Sequence, residues 1–378
     1  MAARKESEYM TKIGILTFHR ASNYGAVLQA YALQTIIASH GVEAKLVNYY
    51  CPTVEKDHRP SKLFFKMSLL KAIIHFPIKA KKDSIFQAFC KRKLNMSEPL
   101  DNKKLYSLQE KYSLFITGSD QVWNDRLSGL DPAYMLTFAK ENQRYSYACS
   151  FGFDQFPYRK ADIYKQMLTG IQRISLREES GIKMLKEIGI DAQTDLDPTL
   201  LMDSRQWESF LVNPPIHCPY ILVYTVSGTI HLLDFAKSLE QKTGYQIIYL
   251  NNQYNNNDNL KRVRFSSPEE FVGWFANAEY VLTNSFHGTA FSIIFNRKFK
   301  VELETKKNFN IRSRDLLLNC GLENGILMST EDDYIFDNDW ERANCLLADM
   351  KSKSLEYIHF IIEVAKNMEG ALANEPRR

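Results

Sequence analysis

The sequence predicts an α/β chain built as two Rossmann-like, doubly wound domains with a cleft between them. Three observations predict it. Short apolar runs of β-formers alternate with helix-period segments, the signature of parallel βαβ units. The rhythm breaks over 203–219, where Pro214, Pro215 and Pro219 cluster, and then restarts. A length of 378 residues is also that of roughly two domains at about 150 residues each.

Residues 13–18 (IGILTF) read as the first strand. Residues 26–39 follow with helical spacing at Val27, Ala30, Tyr31, Leu33, Gln34 and Ile37, and Gly41 ends them before a strand at 44–49. Strands recur at 112–117, 144–149 and 173–176, with helices at 158–170 and from a Ser180 cap to 188. After the break, strands are expected at 220–226, 246–250, 280–283 and 298–303, and helices at 231–242, 268–278 and 287–296. Residues 340–368 read as one long helix. The expected divisions are 1–205, 206–339 and a C-terminal helix in 340–378. In doubly wound sheets ligands bind at the carboxyl ends of the strands. The polar clusters 19–25, 118–124, 150–152 and 177–179 all fall there.

Two segments leave this rhythm. Residues 251–259 contain six asparagines and read as a polar loop. Residues 62–82 hold six lysines and no acid among Leu63, Phe64, Phe65, Leu69, Leu70, Ile73, Ile74 and Phe76. That pattern fits a basic amphipathic helix on an anionic membrane surface, or a solvated helix packed on the sheet.

Composition narrows the function classes. Lys plus Arg is 48 against 44 acids, a net charge of +4, too weak a bias to indicate nucleic acid. The six cysteines form no CxxC pair, so they read as reduced, packed thiols. The first eleven residues lack an apolar core, and no run approaches the ~20 apolar residues of a membrane span. A cytoplasmic protein is expected. No P-loop, HExxH, EF-hand or GxSxG pattern occurs, and no GxGxxG follows the first strand.

Several residues are candidates for chemistry. His287, with Ser285, Gly288 and Thr289, opens a helix after a strand. The helix start attracts an anion, and the imidazole can pair with it or give it a proton; a structural His capping its own helix fits as well. Arg177 ends a strand and suits a carboxylate or phosphate, or simply pairs with Glu178 or Glu179. Asp197 opens a turn, Asp197-Pro198-Thr199. Lys306, Lys307, Arg312 and Arg314 form a basic cluster. Ser119, Asp120, Gln121, Trp123 and Asn124 combine a carboxylate, amides and an aromatic face, which suits a sugar. Asn23, Tyr24 and Gln29 extend the same expected surface.

These residues resemble the polysaccharide pyruvyl transferase family. The likeness rests on Asn23-Tyr24-Gly25-Ala26, Leu28-Gln29-Ala30-Tyr31-Ala32-Leu33, Gly118-Ser119-Asp120-Gln121-Val122-Trp123, Ser175-Leu176-Arg177-Glu178, Asp197-Pro198-Thr199-Leu200-Leu201, Asn284-Ser285-Phe286-His287-Gly288 and Arg312-Ser313-Arg314-Asp315-Leu316-Leu317. It implies a GT-B-like fold, with the C-terminal helix crossing back to the first domain. It also implies transfer of pyruvate from phosphoenolpyruvate, as a cyclic ketal, to two hydroxyls of a hexose such as galactose in a surface or capsular polysaccharide precursor. A lipid-linked oligosaccharide acceptor would bring the protein to the inner face of the plasma membrane through 62–82.

The family's donor residues match Arg177 and His287. Some members carry Arg where this chain has Ser285, and Arg312, Arg314 or Lys307 would then supply the missing cation. His287 is expected to transfer the proton, and Asp120 or Asp197 to accept one from a hydroxyl. No metal or other cofactor is expected, because phosphate leaves readily and Arg neutralises it. The rival functions are a nucleotide-sugar glycosyltransferase of the same fold and a non-catalytic subunit of envelope biosynthesis.

Overall fold

A computed structural model of the chain describes residues 11–62, 69–250, 261–303, 311–330 and 334–373. Lys12–Leu16 (β1), Glu43–Leu46 (β2), Leu114–Asp120 (β3), Arg144–Cys149 (β4), Ser175–Leu176 (β5) and Gln193–Thr194 (β6) form one parallel sheet, ordered β2-β1-β3-β4-β5-β6. Tyr220–Tyr224 (β7), Gln246–Leu250 (β8), Lys261–Val263 (β9), Tyr280–Thr283 (β10), Lys298–Glu302 (β11) and Ile326–Leu327 (β12) form a second, ordered β12-β11-β10-β7-β8-β9. Both are covered on two faces. Their central strands are therefore apolar at nearly every position, as in Ile13, Ile15 and Leu16 or Tyr220 to Val223.

The strand orders fix where ligands go. The first sheet reverses its direction of growth between β1 and β3, the second between β7 and β10. Such switch points open a crevice at the carboxyl ends of the strands. Residues 17–23 and Asp120 lie at the first, and residues 284–288 lie at the second.

The two sheets share one core. Tyr24 opens the helix Tyr24–Ala38 and stacks on Phe271 of the helix Pro268–Asn277, with ring centroids 4.2 Å apart. Its hydroxyl donates to the Ser266 carbonyl at 2.8 Å. The expected interdomain break is itself packed: Trp207 lies 5.1 Å from Phe291 and Phe210 lies 4.7 Å from Tyr31. The C-terminal helix Trp340–Ala373 returns to the first sheet. There the Tyr357 hydroxyl donates to the carbonyls of Ser146 (2.9 Å) and Arg173 (3.1 Å), and Ser354 Oγ accepts from Leu196 N–H (3.0 Å).

Local departures from the sequence reading have physical causes. β3 runs on through Gly118-Ser119-Asp120, expected as a loop. Gly118 has φ +130°, and a Cβ there would fall 2.0 Å from the Tyr147 carbonyl oxygen, so only glycine lets the strand continue. Ser180 is not a cap. The helix Glu179–Glu187 starts after Glu178, whose carboxylate turns away to accept from Ser150 Oγ and Phe151 N–H. The asparagine-rich stretch 251–259 lies outside the described residues, as do 63–68 of the basic segment. The rest of that segment belongs to the helix Leu69–Lys93, which buries Phe86, Phe89 and Cys90 in the core. Its earlier turns leave Ile73 and Ile74 each 54% exposed.

Replacing Tyr24 by Phe should cost about 1 kcal/mol through the lost hydrogen bond, and by Ala roughly 3–5 kcal/mol through the emptied aromatic stack. Urea denaturation of the three proteins checks both values.

Candidate active site

The site is assembled from the carboxyl ends of both sheets. Arg177 follows β5, and its guanidinium is buried. Nη2 donates to Ser119 Oγ at 2.7 Å, and Nη1 lies 3.1 Å from Asp197 Oδ2. Asp197 caps the short helix Pro198–Leu201: its Oδ1 accepts from Thr199 N–H (2.9 Å) and Thr199 Oγ1 (2.6 Å). The other oxygen therefore faces Arg177 and, at 3.6 Å, His287 Nε2. Burial alone would raise the Asp197 carboxyl. The Arg177 guanidinium, then His287 and Thr199, reverse that and hold it well below the usual carboxylate range.

His287 arrives from the second sheet. β10 ends at Thr283, and Ser285 caps the helix Phe286–Ile294 by accepting from Gly288 N–H. The imidazole packs over Gly25 at the start of the helix Tyr24–Ala38, where a Cβ would fall 2.1 Å from Nδ1. Two helix N-termini thus meet at this ring, and both favour an anion nearby. Phe286 packs beside it. The guanidinium carbon of Arg177 lies 5.0 Å from its ring centroid, that of Arg312 lies 5.5 Å away, and the His287 ring meets it edge-on at 5.1 Å.

Arg312 belongs to the helix Ile311–Asn319 and reaches Asp120 Oδ1 at 3.7 Å; the same oxygen is 3.9 Å from Arg177. Basic and acidic side chains therefore alternate along the series Arg312, Asp120, Arg177, Asp197, His287. Among the described residues, Arg177 Nε and Nη1 and His287 Nε2 are buried without an aligned hydrogen-bond partner. Unsatisfied buried donors are costly and call for an explanation. An oxyanion supplied by a ligand provides one.

Some expected site residues lie elsewhere. Trp123 is fully buried against Phe151 and donates Nε1–H to the Tyr134 carbonyl, so it offers no face to a sugar. Tyr24 is consumed by the interface with Phe271. Gln29 is buried too: it donates to Thr17 Oγ1 and the Ala26 carbonyl and accepts from Ser119 N–H, so it holds the Ser119 turn. Thr289 donates to the Ser285 carbonyl inside its own helix. Arg314 is exposed, because two residues along a helix turn it away from Arg312. Asp197 is buried, with one oxygen taken by Thr199 and the other facing Arg177 and His287.

Ser285 caps, and Gly288 lets the helix pass close to Thr283. Asn23 caps its helix from an exposed position, and Gln121 accepts from Asn124 Nδ2. Lys307, like Lys306, lies outside the described residues. The sequence reading missed Gly25 and Phe286 as site residues, although both sit inside the quoted motifs. The described residues include no group of three His, Cys, Asp or Glu placed to hold a metal ion.

Two parallel doubly wound sheets whose carboxyl ends meet at the site, bridged by a returning helix, define a GT-B-like fold. A family model described as polysaccharide pyruvyl transferase matches residues 23–299, and the chain belongs to that family. No curated protein matches it. Solved structures similar in shape include the S. aureus MnaA–UDP co-structure (9% identity, 85% of this chain and 86% of that one, TM-score 0.48). Another is the UDP-GlcNAc 2-epimerase of Neisseria meningitidis bound to UDP-GlcNAc (8%, 97% and 100%, 0.47). A third is the glycosyltransferase SnogD of Streptomyces nogalater (11%, 96% and 99%, 0.38).

The buried ionisable groups predict a specific pH response. Burial first, then Arg20, lowers His19 to about 4, below its unfolded ~6.5. Its neutral form therefore contributes stability above about pH 6.5, and the contribution is lost as pH falls toward 4. The depressed Asp197 carboxyl contributes fully above its unfolded value near ~3.9 and is lost only in stronger acid. Melting temperature should thus fall between about pH 6.5 and 4.5, and His19→Asn should flatten that fall. Asp197→Asn should instead lower stability by roughly 3–5 kcal/mol at pH 7, with the slope from pH 6.5 downward unchanged.

Proposed function

We propose that this enzyme transfers pyruvate from phosphoenolpyruvate to two hydroxyls of one sugar, forming a cyclic ketal and releasing phosphate. The observation that carries the proposal is the buried Arg177–Asp197–His287 array, whose Arg177 Nε and Nη1 and His287 Nε2 have no aligned partner among the described residues. Phosphoenolpyruvate presents a carboxylate and a phosphate on one small carbon frame. A guanidinium, an imidazole and two helix N-termini match those charges.

The chemistry follows from the donor. A proton is added to the methylene carbon, and the carbon bearing phosphate becomes oxocarbenium-like. The first sugar hydroxyl bonds to that carbon and loses its proton. The second bonds to it as the carbon–oxygen bond to phosphate breaks, and its proton leaves with the phosphate or solvent. His287 is the acid: its Nε2 lies 3.6 Å from Asp197 Oδ2 at the centre of the array, and an imidazole is a side chain suited to giving the donor its proton. Asp120 is the base, because its carboxylate is the one at this site that keeps access to solvent. Its left-handed backbone, φ +71°, sets the carboxylate between the two arginines. No step calls on a metal or an added cofactor.

The acceptor is a sugar, in our reading a hexose with vicinal or 4,6-hydroxyls such as galactose. Ser119 and Asp120, with Gln121 and Asn124 beyond them, lie on its side of the crevice. One feature favours a small donor over a nucleotide sugar. Dinucleotide-binding Rossmann units hold phosphate at their first βα turn. Here the N–H groups of Ile230, His231 and Leu232 donate at 2.7, 2.9 and 3.1 Å to the carboxylate of Glu302. That cradle already holds an anion of the chain itself.

The exposed Ile73 and Ile74, in a lysine-rich helix, fit contact with an anionic membrane bearing a lipid-linked acceptor. No described helix is long and apolar enough to cross one.

Incubation with phosphoenolpyruvate and a panel of galactose-containing glycans should add the elements of one pyruvic acid less one water to the acceptor, read by mass spectrometry, with equal phosphate release. His287→Ala should lose ~10²- to 10⁴-fold in turnover while keeping its melting temperature. Near wild-type turnover would remove His287 from the mechanism, and stabilisation by uridine diphosphate sugars but not by phosphoenolpyruvate would sink the donor. For the membrane contact, vesicles rich in phosphatidylglycerol should float the protein, and Ile73→Glu with Ile74→Glu should abolish flotation.

A further inference from the structure

We propose that Tyr158 and Arg159 form a second subsite for the acceptor glycan, holding a sugar residue next to the one that receives pyruvate. The inference rests on the reading that puts the acceptor beside Ser119, Asp120, Gln121 and Asn124. It concerns a loop that this reading does not use.

The loop spans residues 150–160 and leaves the carboxyl end of β4. Its aromatic side chains are Phe151, Phe153, Phe156 and Tyr158. Phe151 is fully buried, and the rings of Phe153 and Phe156 pack around it with centroids 5.6 and 5.8 Å away. Tyr158 alone turns outward. It is 83% exposed, more than any other large apolar side chain among the described residues.

Single exposed apolar residues are ordinary on a protein surface, so the surroundings of the ring decide the case. Arg159 has φ +59°, a left-handed conformation that a residue with a Cβ keeps only when its neighbours hold it. Its guanidinium carbon lies 4.9 Å from the Tyr158 centroid. A cation–π contact braces the ring and leaves the N–H groups of the guanidinium for other acceptors.

The loop is fastened to the acceptor side of the crevice. Gly152 packs on two amides named above: a Cβ there would fall 2.1 Å from Gln121 Oε1 and 2.7 Å from Asn124 Nδ2. Lys160 pairs with Asp125, and the Tyr164 hydroxyl donates to the Trp123 carbonyl at 2.8 Å. Leu127 and Ile163, both exposed, belong to the helices Asp125–Ser128 and Ala161–Leu168 that these bonds join. Asp125 adds an independent sign. Lys160 holds one of its oxygens, and the other is buried with no hydrogen-bond partner among the described residues. A sugar hydroxyl is a donor of the kind it lacks.

A pyranose has a C–H face and an edge of hydroxyls. Trp123 is buried and cannot meet that face, whereas Tyr158 can stack on it. Arg159 can then donate to the hydroxyls. Charged Arg126, Arg159, Lys160 and Asp162 are interleaved with the apolar side chains, too polar a mixture for the dry centre of a protein interface. The acceptor is accordingly an oligosaccharide and not a lone hexose.

The test titrates galactose and linear galactan oligosaccharides of increasing length, without phosphoenolpyruvate, into wild type, Tyr158→Ala, Tyr158→Trp and Tyr106→Ala. Tyr106 is an exposed tyrosine that precedes β3. Calorimetry and saturation-transfer NMR read the binding. Wild-type affinity should rise from galactose to the longer chains. Tyr158→Ala should weaken the longer chains about tenfold, Tyr158→Trp should keep the rise, and Tyr106→Ala should match wild type. In turnover assays Tyr158→Ala should raise the KM for the longer glycans more than it lowers kcat, at a wild-type melting temperature. Equal affinity of Tyr158→Ala and wild type at every length overturns the subsite, as does a wild-type affinity that does not grow with length. Loss of vesicle flotation or of self-association in Tyr158→Ala, with glycan affinity intact, gives the ring to a membrane or a second copy and also overturns it. If the longer glycans bind through Tyr158 but gain no pyruvyl group, the donor reading falls and the subsite stands.

Discussion

One buried carboxylate organises this molecule's site. A fully enclosed Asp197 would be expensive as an ion unless its oxygens were matched. Thr199 satisfies one of them from the adjoining turn, which leaves the other to hold Arg177 and His287 together. Those two side chains come from different sheets, so the ion pair is also a link between them. Removing the carboxylate would leave a buried guanidinium uncompensated.

The rest of the fold keeps the two halves of the array in register. His287 rests on Gly25, and the neighbouring Tyr24 is locked against Phe271. Arg92 adds an ion pair to Glu269 across the same boundary at 2.6 Å. The C-terminal helix fixes the strands that carry Arg177, through Tyr357 to Arg173 and Ser354 to Leu196. Rigid packing of this kind holds catalytic groups better than loops do, because rotamers locked by neighbours cannot drift.

Much of the fold was legible because both faces of each sheet are buried, so the strands stand out as apolar runs bounded by polar turns. β5, β6, β9 and β12 are two or three residues long, too short for any periodicity to mark their limits. Arg177 and His287 were visible as polar residues after strands. Asp197 was visible as a turn residue and a candidate base, but not as their shared partner, because its cap is local whereas its ion pairs span the chain. The aromatic and amide residues misled for a related reason. Trp123, Tyr24 and Gln29 have polar tips that suit a sugar or a buried backbone carbonyl equally well, and only tertiary packing decides which. Glycine had the reverse ambiguity. Gly25 could be read as a turn residue, yet its missing side chain is the space the imidazole occupies.

The alternation of basic and acidic side chains along the series from Arg312 to His287 gives the site a further property. Asp120 lies between two guanidiniums, and Asp197 lies between a guanidinium and an imidazole. Pairing leaves hydrogen-bonding capacity unused, since nitrogens of Arg177 and His287 have no aligned partner among the described residues. A ligand is therefore selected for acceptor oxygens at fixed positions more than for charge alone. A compact molecule with two oxyanion groups meets that demand. A chloride ion supplies charge without geometry, and a nucleotide sugar places its anions on a longer frame. Glu302, already seated on the N–H groups of residues 230–232, removes the cradle a longer frame would use. The proposed preference for a small oxyanion donor rests on where the chain has and has not satisfied its own polar groups.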